Sequence, residues 1–122
     1  MIHLLMDRRD LKIGNFVQDA KNQGYAIRVG ISEMHYTELF EPIKLTDEFF
    51  LSNEFKLQEF NGEKNYYRQD EAKSVVAHQN KSGSWDIDIR NGQDFRYIGK
   101  LTAIHEVQNA LSECFIYWKI KA

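Results

Sequence analysis

A single cysteine, Cys114, rules out a disulfide within the chain, and a lone thiol fits a reducing compartment. Proline is as scarce: Pro42 stands alone, and there is no linker-like, repetitive or low-complexity tract. Seven glycines are scattered as turn markers, so no P-loop, G-x-G-x-x-G or G-x-S-x-G motif is present. No apolar stretch approaches the roughly 20 residues that a membrane helix needs. The opening run Met1-Ile2-His3-Leu4-Leu5-Met6 is too short for a signal peptide's apolar region. It meets Asp7-Arg8-Arg9-Asp10 where a cleavage site would stand. These absences predict a cytosolic protein.

What is present describes a globular chain. Its 122 residues, 43% hydrophobic and 28% charged, suffice for one core without covalent staples. One α+β domain over residues 1–122 is predicted, with residues 1–9 disordered or loosely attached.

Net charge is −2, but it is unevenly spread. Residues 1–32 carry five bases against three acids, +2. Residues 33–63 carry eight acids against Lys44 and Lys56, −6. Residues 64–122 carry nine bases against seven acids, +2. An acidic island of this kind is ordinarily a solvated face, and otherwise a docking surface for a basic partner.

Leu11-Lys12-Ile13 followed by Gly14-Asn15 predicts a strand entering a sharp turn, with Leu11 and Ile13 on one face. Tyr25, Ile27, Val29 and Ile31 alternate with smaller or polar residues as a half-buried strand, with residues 34–40 as its hairpin partner. Thr46 is a preferred helix N-cap, and Asp47 and Glu48 place negative charge on the first turn. Leu45 and Phe50 fit a hydrophobic staple, Phe49 and Phe50 would anchor the helix, and Asn53 would end it. Strands are predicted at 56–60, 65–69, 72–78, 85–90 and 95–98, with hairpin turns at Asn61-Gly62 and Asn91-Gly92. Trp85, Ile87 and Ile89 would face inward, Asp86, Asp88 and Arg90 outward. A long helix from about Thr102 to Trp118, capped by Thr102, would bury Ile104, Val107, Leu111 and Phe115. The expected fold is a twisted antiparallel sheet of about five to seven strands, one short helix, and a long C-terminal helix packed on the sheet.

Chemistry-bearing patterns are thin. His105-Glu106-Val107-Gln108-Asn109 begins like H-E-x-x-H, but Asn109 occupies the place of the second histidine and is a poor zinc ligand. Asp86-x-Asp88 could hold magnesium, although two carboxylates on the outer face of an alternating strand are by default solvated. Cys114 falls on the apolar stripe of the last helix, where thiols are buried and inert. No enzyme, metal or cofactor is predicted. Tyr66, Tyr67 and Arg68 on one strand and Phe95, Arg96 and Tyr97 on another would form a stacking platform for single-stranded nucleic acid if those strands were neighbours.

Three segments in this order carry a resemblance: Leu11-Lys12-Ile13-Gly14-Asn15-Phe16-Val17, Ile43-Lys44-Leu45-Thr46-Asp47-Glu48-Phe49-Phe50, and Ile104-His105-Glu106-Val107-Gln108-Asn109-Ala110-Leu111. The chain resembles a family of small phage and prophage proteins with an early "IGN" strand, an "LT-acid-acid" helix start and a late "H-x-x-Q-N" helix. The stretch from about Leu57 to Ile98 departs from that pattern. Physically, Gly14, Thr46 and Gln108-Asn109 read as turn, cap and helix–sheet contacts. The resemblance implies a phage setting, in which small proteins without active sites commonly block host defence nucleases, CRISPR effectors among them, with an acidic surface.

The leading expectation is therefore a non-enzymatic inhibitor acting by protein–protein contact on a large basic host protein, such as a nucleoprotein nuclease complex, in the bacterial cytoplasm. Its contact residues would be Glu33, Glu38, Glu41, Asp47, Glu48 and Glu54, with Tyr36 and Phe40 as anchors. The alternatives are the nucleic-acid platform above and a phage structural or assembly subunit.

Overall fold

The computed structural model describes residues 11–30, 40–60 and 62–122, side chains at 22–25 and 60 excepted. In chain order it holds β1 (Phe16–Asp19), β2 (Asn22–Arg28), β3 (Phe40–Pro42), α1 (Asp47–Ser52), β4 (Lys56–Phe60), β5 (Glu63–Asp70), β6 (Lys73–Gln79), β7 (Trp85–Asn91), β8 (Asp94–Leu101) and α2 (Ile104–Glu113). The chain is α+β and mostly strand, in two antiparallel sheets rather than one: β2-β1-β3, and the meander β4-β5-β6-β7-β8.

The meander follows the period-2 pattern of its sequence. Val75 pairs with Ile89 and Ala77 with Ile87, and these side chains, with Tyr66 and Trp85, are buried on one face. That face packs with Phe49 and Phe50 of α1 and Ile104, Val107, Ala110 and Leu111 of α2 in the main core. Phe50 sits at its centre, stacked on Tyr66 at 5.6 Å and tilted against Trp85 at 4.7 Å. Leu11, Val17 and Val29 make a second, small core under the three-stranded sheet.

Two turns differ from expectation in detail. At β7–β8 the ladder runs to Asn91–Asp94, so the two-residue loop is Gly92-Gln93, with Gly92 at φ 64°. Asn91 is the last ladder residue, and its side-chain amide donates to the Cys114 carbonyl at 2.9 Å. Residues 11–15 form a turn and not a strand: Leu11 is buried but Ile13 is exposed, and β1 begins only at Phe16. The partner of β1 on its other side is β3, through Val17–Pro42 and Asp19–Phe40. Residues 1–9 and the expected strand residues 34–39 lie outside the described residues.

Both helices begin and end on identifiable chemistry. The Thr46 hydroxyl accepts from the Phe49 N–H at 3.2 Å, as its N-cap position requires. At α2 the N-cap is Ala103, not Thr102. The Glu106 carboxylate instead accepts the N–H groups of Thr102 and Ala103, each at 3.0 Å, and the Thr102 hydroxyl at 3.2 Å. The two helices share one ending, in which a residue in left-handed conformation lets the next N–H fold back: Phe55 N–H to Phe50 at 3.0 Å, and Ile116 N–H to Leu111 at 2.9 Å. Neither left-handed residue is glycine; they are Glu54 (φ 67°) and Phe115 (φ 59°). The second of these stops α2 at ten residues, so the expected long helix to Trp118 does not form.

Beyond α2 the chain runs extended as a strap. Ile116 and Ile120 are buried and Trp118 half-buried, while Phe115, Tyr117 and Lys119 face out. The buried Asn53 side chain clamps its end, accepting from the Lys121 N–H at 2.7 Å and donating to the Lys121 carbonyl at 2.9 Å.

Candidate functional site

Among the described acids of the predicted surface, Asp47 and Glu54 have partners within the fold, and Glu54 keeps a largely exposed side chain. Asp47 accepts a hydrogen bond from the Tyr66 hydroxyl. Glu54 forms a 2.9 Å ion pair with Arg68, whose guanidinium also lies 4.1 Å from the centre of the Trp118 ring. Phe40, expected as an anchor, is half-buried against the small core. Glu41 is half-buried in β3 and Glu48 is exposed on α1. Glu33, Tyr36 and Glu38 lie outside the described residues. Lysines also interleave with the acids: Lys64 stands opposite Glu59 in the β4–β5 ladder.

The predicted stacking platform is dismantled by the same alternation that builds the sheet. Tyr66 is 2% exposed and belongs to the core; burial pushes its phenol pKa up, and the Asp47 carboxylate pushes it further. Tyr67 and Tyr97 do fall in one row of the outer face, separated by Val76 and Asp88. Successive strand residues point to opposite faces, however, so Arg68 and Arg96 are directed away from those tyrosines. Arg96 pairs with Glu113 of α2 at 3.0 Å. Strands β5 and β8 are kept apart by β6 and β7.

On that outer face, Asp86 is held by several donors. It accepts from the Lys100 N–H at 3.1 Å and from the side chains of Asn80 and Tyr97, and its pKa falls below the usual carboxylate range. Gly99 makes room for the Tyr97 hydroxyl, since a Cβ there would stand 3.1 Å from both that oxygen and an Asp86 carboxylate oxygen. Among the described residues, no three His, Cys, Asp or Glu side chains gather as a metal site. No helix among them is long and apolar enough to cross a membrane. His105 is buried in α2, and burial pushes the Cys114 thiol up, away from the reactive thiolate.

A different site emerges where chain segments far apart in sequence meet. The Gln108 side chain accepts the Phe16 N–H at 2.7 Å and donates to the Gly14 carbonyl at 3.1 Å. The Asn15 amide donates to the Asn109 side-chain oxygen at 2.8 Å and accepts the Lys12 N–H at 2.7 Å. The "IGN" turn and the "Q-N" helix segment are thus one structural joint. Between this joint and the strap opens a cleft of about 310 Å³. Among the described residues, its charged lining side chains are Lys12, Arg28 and Lys119, all basic. Ile13 and Tyr117 form part of its wall and are 64% and 73% exposed. Phe115, 67% exposed, opens on a neighbouring hollow with Phe95 and Arg96. The Arg28 guanidinium lies 4.9 Å from the centre of the Phe16 ring. Comparison with protein-family models, curated proteins and solved structures finds no match to the chain.

Proposed function

We propose that this chain is a non-enzymatic binding protein that works by docking on another protein through the end of the molecule where the first turn, α2 and the strap meet. One observation carries the reading: Tyr117 and Ile13 present large apolar side chains to water on the wall of a cleft with Lys12, Arg28 and Lys119, and Phe115 is exposed at the start of the same strap. Exposed aromatics beside arginine are the composition of interface hot spots. Phe115 adds a second cost, because a bulky residue in the left-handed region is strained by about 1–2 kcal/mol. Strain in an exposed residue points to use at a contact.

Blocking a host nucleic-acid-handling enzyme, the role the phage resemblance implies, remains the use we assign to such contact. A second reading keeps the acidic surface facing a basic host nuclease, and the exposed Glu48 on α1 favours it.

Affinity capture from bacterial host extract, quantified by mass spectrometry, separates the two. A partner retained by the wild type and by Glu48→Lys, but lost with paired Phe115→Asp and Tyr117→Asp substitutions, supports docking at the cleft end. Loss with Glu48→Lys alone overturns it in favour of the acidic surface.

A further inference from the structure

We infer that the cleft between the Gly14 turn and the strap recognises an acidic protein segment, its carboxylates meeting Lys12, Arg28 and Lys119 while an apolar side chain rests on Tyr117 and Ile13. The inference rests on the docking reading above and names the chemistry of the partner.

Charge complementarity selects the occupant. Among the described residues no acid lines this cleft, whereas the hollow beside α1 mixes Glu54, Asp70 and Glu71 with Lys56 and Arg68 and so neutralises itself. Lys12 does reach Glu113, but at 3.7 Å with both side chains half exposed, a pair of this kind holds its charges weakly. The basic residues come from the two positive segments of the sequence, residues 1–32 and 64–122, joined here by the Gln108 and Asn109 contacts.

The donors on offer distinguish a carboxylate from a phosphate. A phosphate site is typically a nest of free backbone N–H groups. In this turn the N–H groups of Lys12, Gly14 and Asn15 already donate to Asn15, Val29 and Lys12 respectively. The cleft therefore offers cationic side chains and an apolar wall, which suit a mobile acidic side chain with a hydrophobic neighbour. A nucleic-acid strand would also need a basic track leading away from the cleft. The adjoining hollow beside Phe95 and Arg96 carries Asp94 and Glu113 instead.

Fluorescence anisotropy of the full chain tests this with three labelled probes: a short peptide alternating glutamate with phenylalanine, its lysine-for-glutamate counterpart, and oligothymidylate. The glutamate peptide is expected to bind at least about tenfold tighter than either other probe, and to weaken as salt screens the charges. Arg28→Glu combined with Lys119→Glu should weaken it about tenfold or more, with unchanged circular dichroism. Preference for the lysine peptide, tighter binding of oligothymidylate, or no glutamate-peptide binding overturns the inference. The docking reading is scored separately. If Tyr117→Ala releases the captured host partner while the charge-reversed variant keeps it, docking stands and the acidic-segment inference falls.

Discussion

The side chain of Asn53 and the backbone of Lys121 exchange two hydrogen bonds, 2.7 and 2.9 Å long, across 68 residues of sequence. Asn53 is buried and also donates to the Phe49 carbonyl at 2.8 Å, so one amide closes α1 and fixes the end of the strap. Replacing it strands several buried polar groups at once, each costing about 1–3 kcal/mol. Asn53→Ala should lower unfolding free energy by about 2–4 kcal/mol and open the strap to carboxypeptidase. Denaturant melts and limited digestion check both; an undigested strap would show that Ile116, Trp118 and Ile120 suffice to hold it.

Gln108 joins the two sheets' supporting elements, taking a donor from Phe16 at the start of β1 and an acceptor from Gly14 in the first turn. Gln108→Ala is expected to destabilise by about 1–3 kcal/mol. The loss should be local: amide exchange at Phe16 should accelerate while Val75 and Ile87 in the meander stay protected. Uniform acceleration everywhere would mean that the small sheet and the meander unfold as one unit.

Phe115 allows stability and docking to be pulled apart. Phe115→Gly removes left-handed strain, and after glycine's own entropic cost a gain of about 0.5–1 kcal/mol is expected. Partner capture should fall in the same variant. A destabilised Phe115→Gly protein would show instead that the ring belongs to the fold.

The acid limb of stability should depend on Asp86. Its folded-state pKa is depressed, chiefly by the Asn80 side chain and further by the Lys100 N–H and the Tyr97 hydroxyl. A depressed carboxyl contributes stability that is full above the ordinary aspartate range, about pH 4, and is lost as pH falls through the folded value. Asp86→Asn should therefore flatten the stability profile below about pH 4 relative to wild type. Tyr66 acts in the opposite direction: its raised pKa means stability present at neutral pH and lost only in strong alkali. Equal acid limbs in wild type and Asp86→Asn would rule out this role.

How much of this was legible in the residues depends on how local each signal is. The meander was readable because Trp85, Ile87 and Ile89 alternate with Asp86, Asp88 and Arg90, and Thr46 announced α1. The end of α2 was not, because its left-handed position holds Phe115 rather than glycine, and Phe115 continues the helical spacing of Val107 and Leu111. The strap's in–out alternation was not readable either, because Phe115, Ile116, Tyr117 and Trp118 are consecutive large apolar residues and only the folded chain sorts them into exposed and buried. The platform of Tyr66, Arg68, Arg96 and Tyr97 failed on a period-2 rule already applied to Trp85–Arg90. The cleft was out of reach, since Gln108 and Gly14 are 94 residues apart and only folding brings their charged neighbours together.

The docking surface itself is tested most directly by nuclear magnetic resonance of isotope-labelled protein titrated with unlabelled host extract. Amide signals of Ile13, Phe115, Tyr117 and Lys119 are expected to broaden or shift first, while those of Glu48, Tyr67 and Val76 hold still. Perturbation confined to Glu48 and its neighbours, or to the outer sheet face, with the cleft residues unmoved, would contradict the account.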